Sequence, residues 1–402
     1  MSTPAAPIEM PAGFLFSAVV AGLKASGRPD LACAHISAGA SAAAMFTTNR
    51  VVAAPLGVDR RHLKRSRGRV SFLIVNAGNA NCATGAAGRQ DCERVCREAA
   101  RLLEIRAESV FPSSTGVIGV RLPADKIVRA LPDLISAKAT GAESAESFAR
   151  AIMTTDTRPK IVSRRVRIGS RSFALLGIAK GAGMIHPNLA TMLVYLFTDI
   201  EASSRDLQTL LRAACADSFN CISVDGDTST NDTVLLLASS ASTVSLRTPG
   251  VRAKFTQALN EVCKEIALQI IRDGEGVKHV VRLRIEQARN RREAMQIART
   301  IAHSPLVKTA WAGADPNWGR ILAAAGRAGI SLDPRRINIF CGDQQLCRGG
   351  VAAPFDEHQA HAYLTQPEYD IRVQLGRGRA SLDFLTCDLT TDYVHINADY
   401  TT

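Results

Sequence analysis

The chain has 402 residues, 46% of them hydrophobic, so it can bury a substantial core as two or three domains or as one large layered unit. No apolar run approaches the roughly 20 residues of a membrane helix, which argues against a spanning segment. Residues 1–13 lack the basic and apolar regions of a secretory signal, and the ten cysteines are scattered without a C-x-x-C pair. These features predict a cytoplasmic protein with reduced core thiols and no membrane partner.

The net charge of +12 raises the question of nucleic-acid binding. Much of this charge lies in a basic run at 60–69, and more lies in the arginines between residues 282 and 292. Such patches could bind RNA or DNA, but aromatic residues are only 5% of the chain and none interleaves with the first run. We therefore favour a solvated basic face, or a field that attracts anionic metabolites, and predict no nucleic-acid partner.

The first third of the chain alternates strand and loop signals. Several short strands are predicted within 13–48, and a clear strand at 70–75 runs into an asparagine- and glycine-rich loop at 76–85. Such a loop could present amides to a ligand or could be an ordinary turn, and the pattern leaves both open. A helix follows at 91–105. Its two cysteines at i and i+4 favour core packing over metal binding because no further ligand accompanies them.

The middle of the chain contains a second polar segment and a hairpin. Residues 110–119 include Ser-Ser-Thr-Gly, which we predict as a loop whose hydroxyls and backbone N–H could form an oxyanion hole. A helix at 143–153 ends in a pair of threonines. Strands at 161–168 and 172–178 form a predicted hairpin that leads directly into a glycine-rich loop at 180–191.

The second half is predicted to continue with strands and amphipathic helices. The Asp- and Asn-rich stretch 225–232 lacks the glycine and glutamate positions of a calcium loop, so we predict a polar turn. His358 and His361 lack the glutamate of a zinc helix and are predicted at the surface. The predicted elements are strands at 192–197, 233–237, 369–375 and 379–385, and helices at 206–218, 255–271 and 292–302.

Thr191 lies where the loop at 180–191 meets an apolar strand. A threonine there can simply begin the strand. Alternatively, the chain is cut before Thr191, which would free an α-amino group beside the hydroxyl. An α-amine has an unperturbed pKa of about 8, so part of it is neutral at pH 7 and can accept the hydroxyl proton. One residue would then supply both nucleophile and base.

Collinear motifs over nearly the whole chain connect these signals. They are Asn79-Ala80-Asn81, Ser114 to Gly119, Met153 to Thr157, Lys180 to Leu193, Val224 to Asp232, Asp273 to Gly276, Ser304 to Arg320, Asp392 to Val394 and Asn397 to Thr402. Together they resemble the ornithine acetyltransferase, or glutamate N-acetyltransferase, family of the cyclic arginine pathway. The block His186-Pro187-Asn188, followed by Ala190-Thr191-Met192-Leu193, is the most specific of these motifs.

The resemblance implies an α/β architecture of layered sheets and helices, similar to DmpA-type aminopeptidases, with an N-terminal nucleophile. It implies self-cleavage between Ala190 and Thr191 into an N-terminal subunit, 1–190, and a C-terminal subunit, 191–402. Two copies of each subunit would form a heterotetramer. Thr191 would accept the acetyl group of N2-acetylornithine and pass it to glutamate through a covalent acetyl-enzyme.

The resemblance also implies roles for further residues. The Thr115 hydroxyl and the Gly116 N–H would form the oxyanion hole. The amino-acid site would be lined by Thr154, Thr155, Lys180, Thr191, Glu275, Asn397 and Thr402. Lys180 is the natural counter-charge for the substrate α-carboxylate, and Glu275 could bind the ornithine side-chain ammonium. No metal or bound cofactor is expected, and use of acetyl-CoA as a second acetyl donor stays open.

This sequence departs from the usual family pattern at several positions, including Ala77 and Ala182 where serine is common. None of the departures removes a proposed catalytic group. An N-terminal-nucleophile aminopeptidase or amidohydrolase, with water as the acceptor, is the main alternative. A basic nucleic-acid-binding protein is a further alternative.

Overall fold

Two β-sheets organise the part of the chain that this computed structural model describes, residues 7–186 and 192–399. The first sheet comprises β1 (Leu15–Val19), β2 (Leu31–Phe46), β3 (Arg69–Asn79), β4 (Val110–Val117), β5 (Lys160–Ile168), β6 (Arg171–Lys180), β7 (Leu193–Thr198) and β8 (Thr233–Ala238). Its order is β4-β3-β2-β8-β7-β6-β5, with β1 paired to β2. The strands predicted at 70–75, 161–168, 172–178, 192–197 and 233–237 are all confirmed.

The second sheet is formed by β9 (Val280–Ala288), β10 (Asn338–Cys341), β11 (Gln344–Arg348), β12 (Val351–Ala352), β13 (Glu368–Gln374) and β14 (Ala380–Cys387). Its order is β12-β11-β10-β13-β9-β14, so the two strands predicted near the C-terminus lie on either side of β9. This sheet and the helices against it bury a separate core that includes Trp311 and Phe384.

Helices cover the sheets. In chain order they are α1 (Ala54–Arg65), α2 (Gly85–Leu103), α3 (Ala124–Ser136), α4 (Ala142–Ala151), α5 (Ser204–Ala216), α6 (Val251–Arg272), α7 (Arg291–Ala302), α8 (Pro305–Ala312), α9 (Trp318–Gly326), α10 (Glu357–Leu364) and α11 (Thr391–Asp399). The five predicted helices correspond to α2, α4, α5, α6 and α7. The predicted class of layered sheets and helices is therefore confirmed. No helix within residues 7–186 or 192–399 is long and apolar enough to cross a membrane.

Two predictions about the first sheet are wrong. The region 13–48 contains the short β1 and one 16-residue strand, β2, instead of several short strands. The strand β2 pairs with β3 through residues 31–35 and, after a register shift, 40–41. Its first half also pairs with β1, and its second half pairs with β8. The segment 110–119 is mostly the strand β4, not a loop, because β4 pairs in parallel with β3 along its length. Its hydroxyl-rich sequence resembles a turn, and the pairing with β3 overrides that preference.

The centre of the first sheet explains its apolar sequence. All six residues of β7 and all six of β8 are buried, and the two strands are parallel neighbours. Helices α5 and α6 pack on one face, and an aromatic cluster with Phe148, Tyr195 and Phe197 fills the other. Strands covered on both faces are expected to be apolar throughout. This packing fixes the position of the first residues of β7, which lie next to the candidate active site described below.

The cysteines and the basic run have simple structural roles. All ten cysteines are buried free thiols, as predicted. In the basic run, Arg61 and Arg65 on α1 form ion pairs with Glu93 and Glu108. The arginine side chains in these pairs are largely exposed, so each pair contributes little to stability.

Candidate active site

A pocket opens at the edge of the first sheet where β6 ends and β7 and β8 begin. Lys180, the last residue of β6, pairs with Leu193, and Leu193 pairs with Thr233 at the start of β8. The cavity measures about 120 Å³. Sites for drug-sized ligands measure roughly 300–1,000 Å³, so this one suits a smaller metabolite. Seven of the predicted site residues line it: Thr115, Gly116, Thr154, Thr155, Lys180, Glu275 and Asn397.

The remaining predicted residues, Ala190, Thr191 and Thr402, lie outside the described residues. The structure does describe Met192, which is covalently bonded to Thr191. The backbone N–H of Met192 donates to Asp232 Oδ1 at 3.0 Å, and its carbonyl accepts from Thr233 N at 3.2 Å. The residue that follows the predicted nucleophile is thus held firmly at the pocket edge.

Lys180 forms the basic end of the pocket. Its side chain is almost completely buried, and Nζ donates to Thr154 Oγ1 at 2.8 Å and to Thr115 Oγ1 at 3.4 Å. Asp156 Oδ2 lies 3.9 Å from Nζ. Burial lowers the pKa of Lys180, and Asp156 opposes that shift. Among the described residues Nζ has two hydrogen bonds, and an ammonium can donate three, so it can also bind a substrate carboxylate.

A buried network behind Lys180 holds it in place. Lys160 Nζ contacts Asp156 Oδ1 at 2.7 Å and Asp273 Oδ2 at 2.5 Å, and Asp156 Oδ1 also accepts from Gly181 N at 2.6 Å. Burial alone would raise the pKa of Asp156, but Lys180, Lys160 and the Gly181 N–H hold it well below its usual value. Asp156 therefore stays ionised, and its contacts fix the end of β6 beside the loop after α4.

The predicted oxyanion-hole residues form the pocket wall next to Lys180. Gly116 has a φ of +129°, and a Cβ built on it would lie only 2.4 Å from the carbonyl carbon of Gly78. No other residue fits there without moving β3, because both the space and the backbone angle require glycine. Thr115, which receives the Lys180 hydrogen bond, lies beside it at the end of β4.

The asparagines at 76–81 support this wall and do not face the pocket. Asn76 Nδ2 donates to Asn79 O at 2.8 Å, and Asn76 Oδ1 accepts from Ser114 Oγ at 2.6 Å. Asn231 Nδ2 donates to Ala80 O at 2.7 Å and to Ser114 O at 2.8 Å. The alternative that these amides bind a ligand is not supported, since their side chains satisfy the protein's own buried polar groups.

Acidic side chains also line the pocket. Glu275 lies against Gly183, where a Cβ would be 2.3 Å from its carboxylate, and it accepts a hydrogen bond from Asn397 Nδ2 at 2.9 Å. Asp225 and Asp227 line the same pocket. Asn397 belongs to α11, an exposed helix that has no buried residue in its length. The C-terminal helix thus reaches the pocket through polar contacts.

Asp225 links the loop before the predicted cleavage point to the rest of the site. Its carboxylate accepts from Met184 N at 2.5 Å and from Ile185 N at 2.9 Å, and the Tyr393 hydroxyl lies 3.5 Å away. Burial raises the pKa of Asp225 to about 6, although the backbone N–H groups of Asp227 and Met184 oppose the shift. Asp225 therefore keeps its proton to a higher pH than an ordinary carboxyl group does.

Sequence reasoning missed Asp156, Asp225, Asp227 and Tyr393 as parts of the site. The sequence did contain a signal for Asp156. Lys160 lies four residues later between apolar residues, and a lysine buried in such surroundings needs a partner of opposite charge. Asp225 and Asp227 were recognised only as members of a polar turn. Within residues 7–186 and 192–399, no three or more His, Cys, Asp or Glu side chains are placed so that they could hold a metal ion.

The pocket is lined by a buried ammonium, by hydroxyl groups and by carboxylates. This arrangement defines a site for a small molecule that carries both a negative and a positive charge, such as an amino acid.

Comparison with known proteins agrees with this class. The ArgJ family model matches residues 15–402. The arginine biosynthesis bifunctional protein ArgJ of Methylococcus capsulatus is 46% identical over 396 residues, which cover 97% of this chain and 96% of that protein. The protein of the same name from Neisseria meningitidis serogroup A is 44% identical over 386 residues, covering 94% and 93%. The chain belongs to the ArgJ family.

A solved structure, the arginine biosynthesis bifunctional protein argJ from Bacillus halodurans, is also similar to this chain. It is 40% identical and covers 52% of this chain and 98% of its own, with a TM-score of 0.49.

Proposed function

We propose that this protein transfers an acetyl group from N2-acetylornithine to glutamate in arginine biosynthesis. The observation that carries the proposal is the pocket at the start of β7, which is lined by both Lys180 and Glu275. The chain belongs to the ArgJ family, and its relatives are named arginine biosynthesis bifunctional proteins. This membership supports the same reaction. We include acetyl-CoA in the proposal as a second acetyl donor to be tested beside N2-acetylornithine. The proposal needs no metal or bound cofactor.

In the proposed reaction the chain first cleaves itself between Ala190 and Thr191, and Thr191 becomes the N-terminal residue of the subunit 191–402. Its hydroxyl attacks the acetyl carbonyl of N2-acetylornithine while its α-amine takes the hydroxyl proton. Thr115 and Gly116 stabilise the oxyanion. Collapse of the tetrahedral intermediate breaks the amide bond, and the Thr191 ammonium protonates the departing ornithine amine.

The second half of the reaction reverses these steps with a different amine. Ornithine leaves, glutamate binds, and its α-amine attacks the acetyl-Thr191 ester. The result is N-acetylglutamate and a free threonine hydroxyl. The single nucleophile requires ping-pong kinetics, since the acetyl group waits on the enzyme between the two amino acids.

Substrate orientation follows from the charges around the pocket. The α-carboxylate binds Lys180 with help from Thr154 and Thr155, which places the acetylated α-nitrogen near Thr115 and Gly116. The ornithine side-chain ammonium extends to Glu275 and Asn397, and we also assign Thr402 a substrate-binding role. A heterotetramer of two N-terminal and two C-terminal subunits, working in the cytoplasm, completes the proposal.

The test is an acetyl-transfer assay with the purified protein. N2-acetylornithine and glutamate are mixed with the enzyme, and ornithine, N-acetylglutamate and free acetate are quantified. The proposal predicts N-acetylglutamate in excess over acetate. Acetate as the main product would instead identify a hydrolase of the aminopeptidase or amidohydrolase kind, with water as the acceptor.

A further inference from the structure

The loop between β1 and β2, residues 20–30, is built around the carboxylate of Asp30. Most of the loop is exposed, but Asp30 itself is 0% exposed. Its Oδ1 accepts the N–H of Ala21 at 2.6 Å, and its Oδ2 accepts those of Leu23 at 2.5 Å and Lys24 at 2.9 Å. A buried carboxylate that accepts three backbone N–H groups holds an irregular segment in one conformation. The proposed reaction leaves this loop without a role.

The loop packs against the end of β3. The carbonyl of Asp30 accepts the N–H of Ala77 at 2.9 Å, which ties the loop to the strand. One residue further along β3, the carbonyl oxygen of Leu23 covers Gly78, so that a Cβ built on Gly78 would lie 3.1 Å from this oxygen. The conformation that Asp30 imposes on the loop therefore determines what lies against the backbone of Gly78.

Gly78 in turn lies against Gly116, the predicted oxyanion donor. The two glycines are paired across β3 and β4, and a Cβ built on Gly116 would lie 2.4 Å from the carbonyl carbon of Gly78. The strand pairing is irregular at this point, since the next residue, Asn79, has two partners on β4. An irregularity of this kind disrupts the ladder locally, so the sheet alone supports Gly116 less well. Leu23, Gly78 and Gly116 form three successive backbone layers.

We propose that Asp30 positions the oxyanion hole: by fixing the loop 20–30 against Gly78, it holds the backbone of Gly116 where its N–H meets the developing oxyanion. Asp30 is a positioning residue, because it acts through Leu23 and Gly78. The inference rests on the proposed function, in which Gly116 stabilises the oxyanion. A donor in an oxyanion hole is effective only when it is already aimed at the oxyanion, so a small displacement lowers kcat.

The test compares Asp30→Asn with a matched control, Asp199→Asn. Asparagine has one acceptor oxygen, so at position 30 it cannot serve the N–H groups on both sides of the original carboxylate. Asp199 is also buried and accepts the N–H groups of Ala174 at 2.9 Å and Ala12 at 3.1 Å, but it lies at the end of β7 opposite the pocket. The two substitutions therefore remove comparable hydrogen bonds at different places in the fold.

We expect Asp30→Asn to lower kcat for acetyl transfer by about 10- to 100-fold. Loss of a whole oxyanion donor costs about 10²- to 10³-fold, and this variant only displaces one. KM for N2-acetylornithine should change by less than about twofold, because the displaced donor acts mainly in the transition state. Asp199→Asn should retain both values. Because kcat is expressed per folded enzyme, from unfolding curves of each variant, a loss of stability alone changes neither value.

The carbonyl stretch of the acetyl-enzyme reports on the oxyanion hole directly. Without glutamate, N2-acetylornithine with an isotope-labelled acetyl carbonyl acetylates the enzyme, and infrared difference spectroscopy gives the frequency of the labelled ester. Hydrogen bonds to the carbonyl oxygen polarise the bond and lower this frequency. We expect a higher frequency in Asp30→Asn than in wild type and Asp199→Asn. An unchanged frequency, or an unchanged kcat, refutes the role of Asp30.

A further variant and the wild type separate the possible failures. A wild-type protein that transfers no acetyl group refutes the proposed function, whereas an active wild type with an indifferent Asp30→Asn refutes only this inference. If Asp30→Asn does not fold, Lys24→Met carries the test. Lys24 Nζ ties the loop to the end of α4 through Ala151 O at 2.8 Å, and methionine removes this bond but keeps the backbone N–H groups that Asp30 binds.

The looser loop of Lys24→Met should raise the carbonyl frequency by a smaller amount. Its kcat should fall by about two- to tenfold, the contribution of one hydrogen bond. A folded Lys24→Met with the kcat and the carbonyl frequency of wild type would overturn the proposal.

Discussion

Replacing Lys180 with methionine tests how the pocket binds its substrate. The substitution keeps an unbranched side chain of similar length and removes the ammonium that bonds to Thr154 Oγ1 at 2.8 Å. Asp156 should remain ionised, since it keeps its 2.7 Å contact with Lys160 and the N–H of Gly181. The variant should therefore fold, and its defect should appear in substrate binding.

The size of that defect follows from the interaction that is lost. A hydrogen bond to a charged group contributes about 1.5–3 kcal/mol, and 1.4 kcal/mol corresponds to a tenfold change, so kcat/KM for N2-acetylornithine should fall by about 10- to 150-fold. Glutamate shares the α-carboxylate, so its kcat/KM should fall by a similar factor. Both values are obtained from initial rates with one amino acid varied at a time.

Lys308→Met is the matched control for this measurement. Lys308 is also buried, but its ammonium contacts the carbonyl of Cys387, away from the pocket. Its loss should lower the thermal stability and leave KM for both substrates unchanged. If Lys180→Met and Lys308→Met have the same kcat/KM, Lys180 does not bind the substrate carboxylate and the assignment of the basic end is refuted.

Three further predictions concern the pocket and the network behind it. Gly116→Ala should abolish transfer or prevent folding, because its Cβ would lie 2.4 Å from the backbone of β3. Gly119→Ala is the control: its Cβ would meet no atom within 4 Å, so it should lower the free energy of unfolding by only about 1 kcal/mol. Circular dichroism and the transfer assay distinguish the two variants. Glu275→Gln should raise KM for N2-acetylornithine about fivefold and leave KM for glutamate unchanged or lower. An equal rise in both KM values would contradict the proposed contact between Glu275 and the ornithine side-chain ammonium. The pKa of Asp156 is depressed in the folded state, so its stabilising contribution is present above its usual pKa of 3.8 and is lost as the pH falls below it. Urea unfolding at pH 7 and pH 3 measures this loss. The unfolding free energy should fall between the two pH values by about 1 kcal/mol less in Asp156→Asn than in wild type, and equal losses would refute this.

Helices and strands could be predicted from the sequence where a single hydrophobic pattern dominated the segment. The buried strands β7 and β8 are uniformly apolar, and α6 repeats its apolar residues at helical spacing, so their types were evident. The strand β4 was missed because its serines, threonine and glycine favour a turn locally. Only the long-range pairing with β3, which local patterns do not contain, makes it a strand.

The candidate site was predicted only in part, because its residues come from segments that are distant in the chain. Motif resemblance named Lys180 and Glu275, which lie about a hundred residues apart and meet only in the fold. It did not reveal that Asp156 supports Lys180 from behind, or that Asp225 ties residues 184 and 185 to α11. Such roles depend on which buried polar groups face each other, and that follows from packing between distant segments.

The central claim is that the chain cuts itself before Thr191 to create its nucleophile. The most direct measurement is the intact mass of the purified, active protein, combined with N-terminal sequencing of its fragments. The account predicts two fragments, with the C-terminal one beginning Thr-Met-Leu-Val. A fully active enzyme that consists of a single uncut chain would contradict it.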